Sequence, residues 1–409
     1  MNSELKPKIR FKGFTDDWKQ HKLEDFGRYT GGTSIESEFV ENGKYKVISI
    51  GSYSETSKYN DQGIRCRLSD KTMNKVLNKD DLTMILNDKT ASGNIIGRVL
   101  IIDKSGEYVY NQRTERIEPN IQEYYPQFLY HMLNAPNIRK KIIKQSQGNT
   151  QIFVNWTGIQ KLEYIVPKMD EQINLAKLIT NLDNFITLHQ RKCDKLVKLK
   201  KSLLEKMFPQ NNSTIPEIRF KGFTDDWEQH KLKELCNIFD GTHQTPNYKN
   251  SGIMFLSVEN IKDLKSEKYI SYDDFKNNFK VYPEKNDILM TRIGDIGTTN
   301  IVKDNTLKAY YVSLALLKCR GINPYYLNSA IKSNFVQNEL KLRSLLTAIP
   351  MKINKDQIGE IDINYPRNLE EQSNIGKIFD NIDNLITLLQ SKHDKLNKIK
   401  QSLLNDMFV

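Results

Sequence analysis

The chain has 409 residues, of which 38% are hydrophobic, 10% aromatic and 27% charged; this is the composition of a globular protein of two or three domains and excludes a disordered or fibrous one. Lys and Arg outnumber Asp and Glu by 61 to 50, a net charge of +11 that suits a polyanionic partner. The polar N-terminal stretch, the lack of any run near the roughly 18 apolar residues of a membrane span, and four cysteines (Cys66, Cys193, Cys236, Cys319) without zinc-ligand spacing predict a soluble cytoplasmic protein with reduced thiols.

Residues 7–25 read PKIRFKGFTDDWKQHKLED, and this frame returns at residues 216–234 as PEIRFKGFTDDWEQHKLKE, identical at 15 of 19 positions. Behind the first frame, residues 26–170 form an insert with predicted strands at 45–50 and 95–102 and a predicted helix at 125–133. Residues 171–208 then form a long helix ended by Pro209. After the second frame, residues 235–370 form another insert, with a strand at 253–258 and a helix at 325–333, and residues 371–408 repeat the long helix with 22 of 38 positions identical. The inserts themselves match only in short echoes, such as Gly93-Asn94-Ile95-Ile96-Gly97 with Gly294-Asp295-Ile296-Gly297. The predicted division is therefore 1–170, 171–208, 209–370 and 371–409: an α+β domain and a long helix, twice. Frames that stay alike around inserts that diverge imply two versions of one task.

In the first long helix Leu175, Leu178, Leu182, Phe185, His189, Lys192, Leu196, Leu199 and Leu203 step by three and four, and Ile375 to Leu403 do the same in the second. This predicts a heptad seam broken by a charge at Lys192 and Lys392. At 1.5 Å per residue each helix spans roughly 57 Å. Such a helix alone leaves its seam wet, so the two copies are expected to pair antiparallel, related by a pseudo-twofold axis. The run Lys192, Lys195, Lys198, Lys200 and Lys201 reads as a solvated face.

The insert loops are rich in side chains that read base edges or hold phosphates: Arg pairs with guanine, Asn and Gln with adenine. The candidates are Thr33, Lys89, Gln112, Arg113, Asn149 and Gln151 in the first insert and Thr242, His243, Gln244, Arg292 and Thr347 in the second. The chain contains no G-x-x-x-x-G-K-[ST] loop, no G-x-S-x-G elbow and no H-E-x-x-H. Asn323-Pro324-Tyr325-Tyr326 approaches the N-P-P-Y motif of amino-methyltransferases but lacks its second proline and a glycine-rich cofactor loop; it reads as a turn into a helix. No catalytic or metal-binding residue is predicted.

The ordered motifs resemble the specificity subunits of type I restriction-modification enzymes over nearly the whole chain. They are the openings at 18–23 and 227–232, the Gly-Thr loops at Gly32-Thr33 and Gly241-Thr242, the turns at Asp81-Leu82 and Asp287-Ile288-Leu289, and Pro167 with Glu171-Gln172 repeated as Pro366 with Glu371-Gln372. One departure is Gly148-Asn149-Thr150-Gln151, whose counterpart near Thr347 lacks the Gly and Gln. The resemblance implies a non-catalytic subunit with two target-recognition domains, each reading half of an asymmetric split site in double-stranded DNA, and a helix pair that sets the gap. It also implies docking of two methyltransferase subunits and, in a full system, two ATP-driven restriction subunits. S-adenosylmethionine, ATP and Mg would then belong to those partners. The rival readings are a self-contained DNA-modifying enzyme and a coiled-coil scaffold with no DNA role.

Overall fold

The repeated sequence produces a repeated sheet topology. In the computed structural model, which describes residues 6–210, 213–345 and 348–409, the chain forms two compact units: Met1–His189 with Lys392–Val409, and Gln190–Ser391. Each long helix is thus divided between the units, unlike the four consecutive segments read from the sequence.

In the first unit, a four-stranded antiparallel sheet runs Gly27–Gly31, Thr114–Pro119, Leu82–Ile85, Val99–Ile101. A second sheet sets Tyr45–Ile48 antiparallel to Arg65–Cys66 and parallel to Tyr108–Tyr110. The second unit repeats both: Cys236–Asp240, Leu314–Cys319, Ile288–Thr291, Thr299–Ile301 in one sheet, and Tyr269–Ile270, Ile253–Leu256, Lys308–Tyr310 in the other. Helices Pro126–Asn134 and Pro324–Ile331 occupy equivalent places. The strand expected at 95–102 is confined to Val99–Ile101. Gly93 and Gly97 turn the chain ahead of it with φ of +63° and +68°. A Cβ on Gly97 would lie 2.8 Å from Ile142, and one on its echo Gly297 would lie 2.6 Å from Leu340, so both glycines are fixed by the close approach of a helix.

The frames exist to tie each domain to its long helix. In the first unit Lys19–Lys22 pairs with Glu163–Val166, and in the second Glu228–Lys231 pairs with Asp362–Tyr365. Arg10 grips Glu171 through two bonds of 2.7 Å, with Trp18 Nε1 donating to the same carboxylate at 3.1 Å. Arg219 grips Glu371 in the same fork, at 2.7 and 2.9 Å. Both carboxylate side chains are 1% exposed, and a buried charge of this kind is held only by paired donors. Gln172 and Gln372 accept from the backbone N–H groups of Tyr125 and Asn323 and donate to the carbonyls of Pro167 and Pro366. The repeated Pro…Glu-Gln motif is therefore a joint between helix and domain.

The helices span Met169–Lys206 and Leu369–Asp406. In the first unit Leu175, Ala176 and Ile179 share a core with Leu404, Met407 and Phe408. In the second, Met207 and Phe208 share one with Ile375 and Phe379. Within each unit the paired halves run antiparallel, pinned by Lys400–Asp183 at 2.6 Å in the first and by Lys200–Asp383 in the second.

The seam is not the one the heptads predict. The inward stripe keeps Leu175, Leu178, Leu182, Leu196 and Leu203, and takes Ile179, Ile186 and Cys193 rather than Phe185 and Lys192. Phe185 and Leu199 stand 55% and 48% exposed, and Leu385 and Ile399 in the other helix 48% and 40%. Lys192 and Lys392 are exposed, so the charged break read from the heptads lies outside the packed face. Both faces carry apolar residues at three-four spacing. The packed one is the one that continues into the domain cores.

Candidate nucleic-acid interface

In the first unit four loops are laced together by backbone bonds. Gly32 N donates to Thr114 O at 2.8 Å, Leu86 N to Arg113 O at 2.9 Å, and Val154 N to Leu86 O at 2.8 Å. Ile152–Phe153 pairs with Asn87–Asp88, and Phe153 closes a hairpin back to Gln147 with bonds of 2.9 and 3.0 Å. The six first-insert candidates thereby come onto one cluster of loops, and Thr33, Lys89, Gln112, Arg113, Asn149 and Gln151 are all exposed. Arg113 holds a φ of +68°, a left-handed conformation that a bulky side chain keeps only when its surroundings impose it.

Glu36 organises this cluster, and nothing in the sequence singled it out. Ser34 donates to its carboxylate, as do Asn111 Nδ2 at 2.9 Å and Gln112 Nε2 at 3.1 Å. These bonds, Ser34 first, hold the Glu36 carboxyl below its ordinary range. Gln112 is thus presented by an ionised Glu36. Beneath the same loops, Glu115 is 5% exposed, and burial pushes its carboxyl up to about 7, against the pull of the Lys75 cation. Lys75 Nζ donates to Gly31 O at 2.6 Å.

The second unit builds the equivalent cluster with different chemistry. Thr242 N donates to Tyr310 O, and Val312 N to Thr242 O at 2.9 Å. Arg292 N donates to Ser313 O at 3.0 Å and Ile353 N to Arg292 O at 3.0 Å. His243 and Gln244 are exposed and Thr242 is half-buried. The Arg292 side chain is only 11% exposed: its guanidinium is engaged by Asp240 and by the Ile353 carbonyl at 3.2 Å. It therefore braces the strands beneath the loops. Thr347 lies outside the described residues. On either side of it Leu345 N donates to Lys352 O at 2.9 Å, and Gly294 N donates to Met351 O at 2.8 Å.

Asn323 caps its helix by accepting from the Tyr325 and Tyr326 N–H groups at 2.9 and 3.1 Å, which is the turn expected from the sequence. Among the described residues, no group of three or more His, Cys, Asp or Glu could hold a metal ion, and no helix is long and apolar enough to cross a membrane.

Residues 15–198 and 224–400 each match the family model described as Type I restriction modification DNA specificity domain. The type I restriction enzyme MjaVIII specificity subunit of Methanocaldococcus jannaschii is 22% identical to this chain over 411 residues, which cover 95% of this chain and 92% of the relative. The type I restriction-modification system S subunit from M. genitalium, a crystal structure, is similar with a TM-score of 0.66 at 17% identity, covering 99% of both chains. A chain solved in connection with complex assembly and conformational transition of the type I R-M system is similar with a TM-score of 0.50 at 17% identity, covering 95% of this chain and 96% of that one. At these identities the structural likeness is one of fold.

Proposed function

The chain belongs to the type I restriction-modification DNA specificity family, and from that premise we propose that each recognition domain reads one half of an asymmetric split site in double-stranded DNA. One observation carries this reading: the same sheets recur in both units, and the loops at equivalent places carry unlike side chains. Two identical readers match a palindrome; two unlike readers on one frame match two unlike half-sites. In the first domain the candidates are Thr33, Lys89, Gln112, Arg113, Asn149 and Gln151. In the second they are Thr242, His243 and Gln244, with Arg292 positioning them.

The helix pair serves as the ruler for the unread gap. Its outward apolar residues are the docking surface for two methyltransferase subunits: Phe185, Leu188 and Ile399 in the first unit, and Leu199, Leu385 and Leu388 in the second. Those partners bring S-adenosylmethionine, and two restriction subunits bring ATP and Mg. The chain itself contributes recognition and no chemistry. The setting is the cytoplasm, where the DNA is and where four free cysteines stay reduced. Replacing residues 26–170 with the insert of another family member tests the modular reading. One half-site should change and the other remain; a change in both would contradict it.

A further inference from the structure

The hairpin that closes each loop cluster is polar in the first unit and apolar in the second. Between Gln147 and Phe153 the first unit carries Gly148, Asn149, Thr150, Gln151 and Ile152. Counting back from the equivalent closing residue, Lys352, the second carries Met351, Pro350, Ile349 and Ala348. Ile349 is 100% exposed, and its neighbours Leu345 and Met351 are 48% and 41% exposed. A single exposed aliphatic residue on a protein surface is ordinary. Three in one hairpin, with Ile349 wholly uncovered, form a local apolar tip.

The position of this tip says what meets it. Lys352 pairs on one side with Leu345 and on the other with Ile293, and Gly294 bonds to Met351. The tip is thereby continuous with the loop that Arg292 braces, and its polar counterpart in the first unit holds Asn149 and Gln151. Exposed Lys352 and Lys355 flank it, the charge expected beside a phosphate backbone. On a base edge in the major groove the apolar feature is the C5-methyl group of thymine.

We propose that the 348–351 tip, chiefly Ile349, reads a thymine methyl group in the second half-site. This rests on the reading of the two domains as half-site readers. It assigns to the second domain a mode of recognition that the first lacks, and it places Ile349 among the specificity-determining residues.

The test uses the full chain with its methyltransferase partner and duplexes carrying its own split site, each thymine of the second half-site being replaced in turn by deoxyuridine. One replacement should weaken binding roughly fourfold, the worth of one buried methyl group, and Ile349→Ser should bind thymine and deoxyuridine alike at that position. Because Ile349 packs against none of the described residues, the variant should fold, and denaturant unfolding of the full chain that matches the wild type reports that it has. A second half-site without thymine, or one indifferent to every replacement, overturns the inference and leaves two-domain recognition standing. Strong fluorescence from 2-aminopurine placed beside the affected thymine would show an unstacked step, making the tip a wedge, and would also overturn it. A wild-type chain that recognises no split site overturns both.

Discussion

Arg113, one of the residues proposed to contact DNA, sits in a loop whose backbone the fold itself holds in place. Its backbone is held at a positive φ by strand pairing on both sides, and Gln112 beside it is held by Glu36. Arg113→Ala should weaken binding by about 1–3 kcal/mol if the guanidinium reads a guanine, with relaxed specificity at one position of the first half-site; competition binding against single-base variants measures this. Glu115 makes a separate prediction about stability. Its carboxyl titrates near 7 in the folded chain against an ordinary value of 4.5, so the folded state keeps a proton that the unfolded state has already released. The resulting penalty on folding is absent well below pH 4.5, grows through that interval, and is complete above pH 7. Glu115→Gln removes it. Denaturant unfolding should show the variant more stable at pH 8, by about 3 kcal/mol at most, with the gain fading towards pH 4.

At the scale of elements, the joint between helix and domain was readable because it is written twice. Arg10, Trp18, Glu171 and Gln172 recur as Arg219, Trp227, Glu371 and Gln372, and such repetition marks residues that answer to the shared frame. Arg219→Ala leaves the buried Glu371 unpaired and should cost about 3–5 kcal/mol, read by chemical denaturation. The inward seam was not readable. Phe185, Leu188 and Leu199 recur at helical spacing as Ile179, Ile186 and Cys193 do, and only packing against the domain cores decides between them. The structure makes the difference measurable. Ile186, 6% exposed, should cost about 2–5 kcal/mol when changed to Ala. Phe185→Ala should stay within about 0.5 kcal/mol and weaken co-purification with the methyltransferase subunit. The reverse pattern would restore the heptad seam read from sequence. Glu36, Glu115 and the Arg292–Asp240 pair escaped the sequence for another reason: Asn111 and Gln112, Lys75 and Asp240 come to them from distant parts of the chain, and no local pattern announces them.

For the whole molecule, the sequence supplied the plan of two alike domains and two long helices, because duplication leaves its mark on spacing and identity together. It did not supply the division into units, since the first unit takes its second helical half from the far end of the chain while the second unit is the continuous stretch Gln190–Ser391. If the helices act as a ruler, inserting four residues within 182–199 adds roughly 6 Å and should widen the recognised gap by a base pair or two. An unchanged gap would remove that role. The central claim, that two unlike domains read two unlike half-sites, is tested most directly by single-molecule sequencing of methylated adenines in cells carrying this chain with a cognate methyltransferase. The account predicts a split, asymmetric motif that disappears when this chain is deleted; a motif that persists without it, or a palindromic one, would contradict the account.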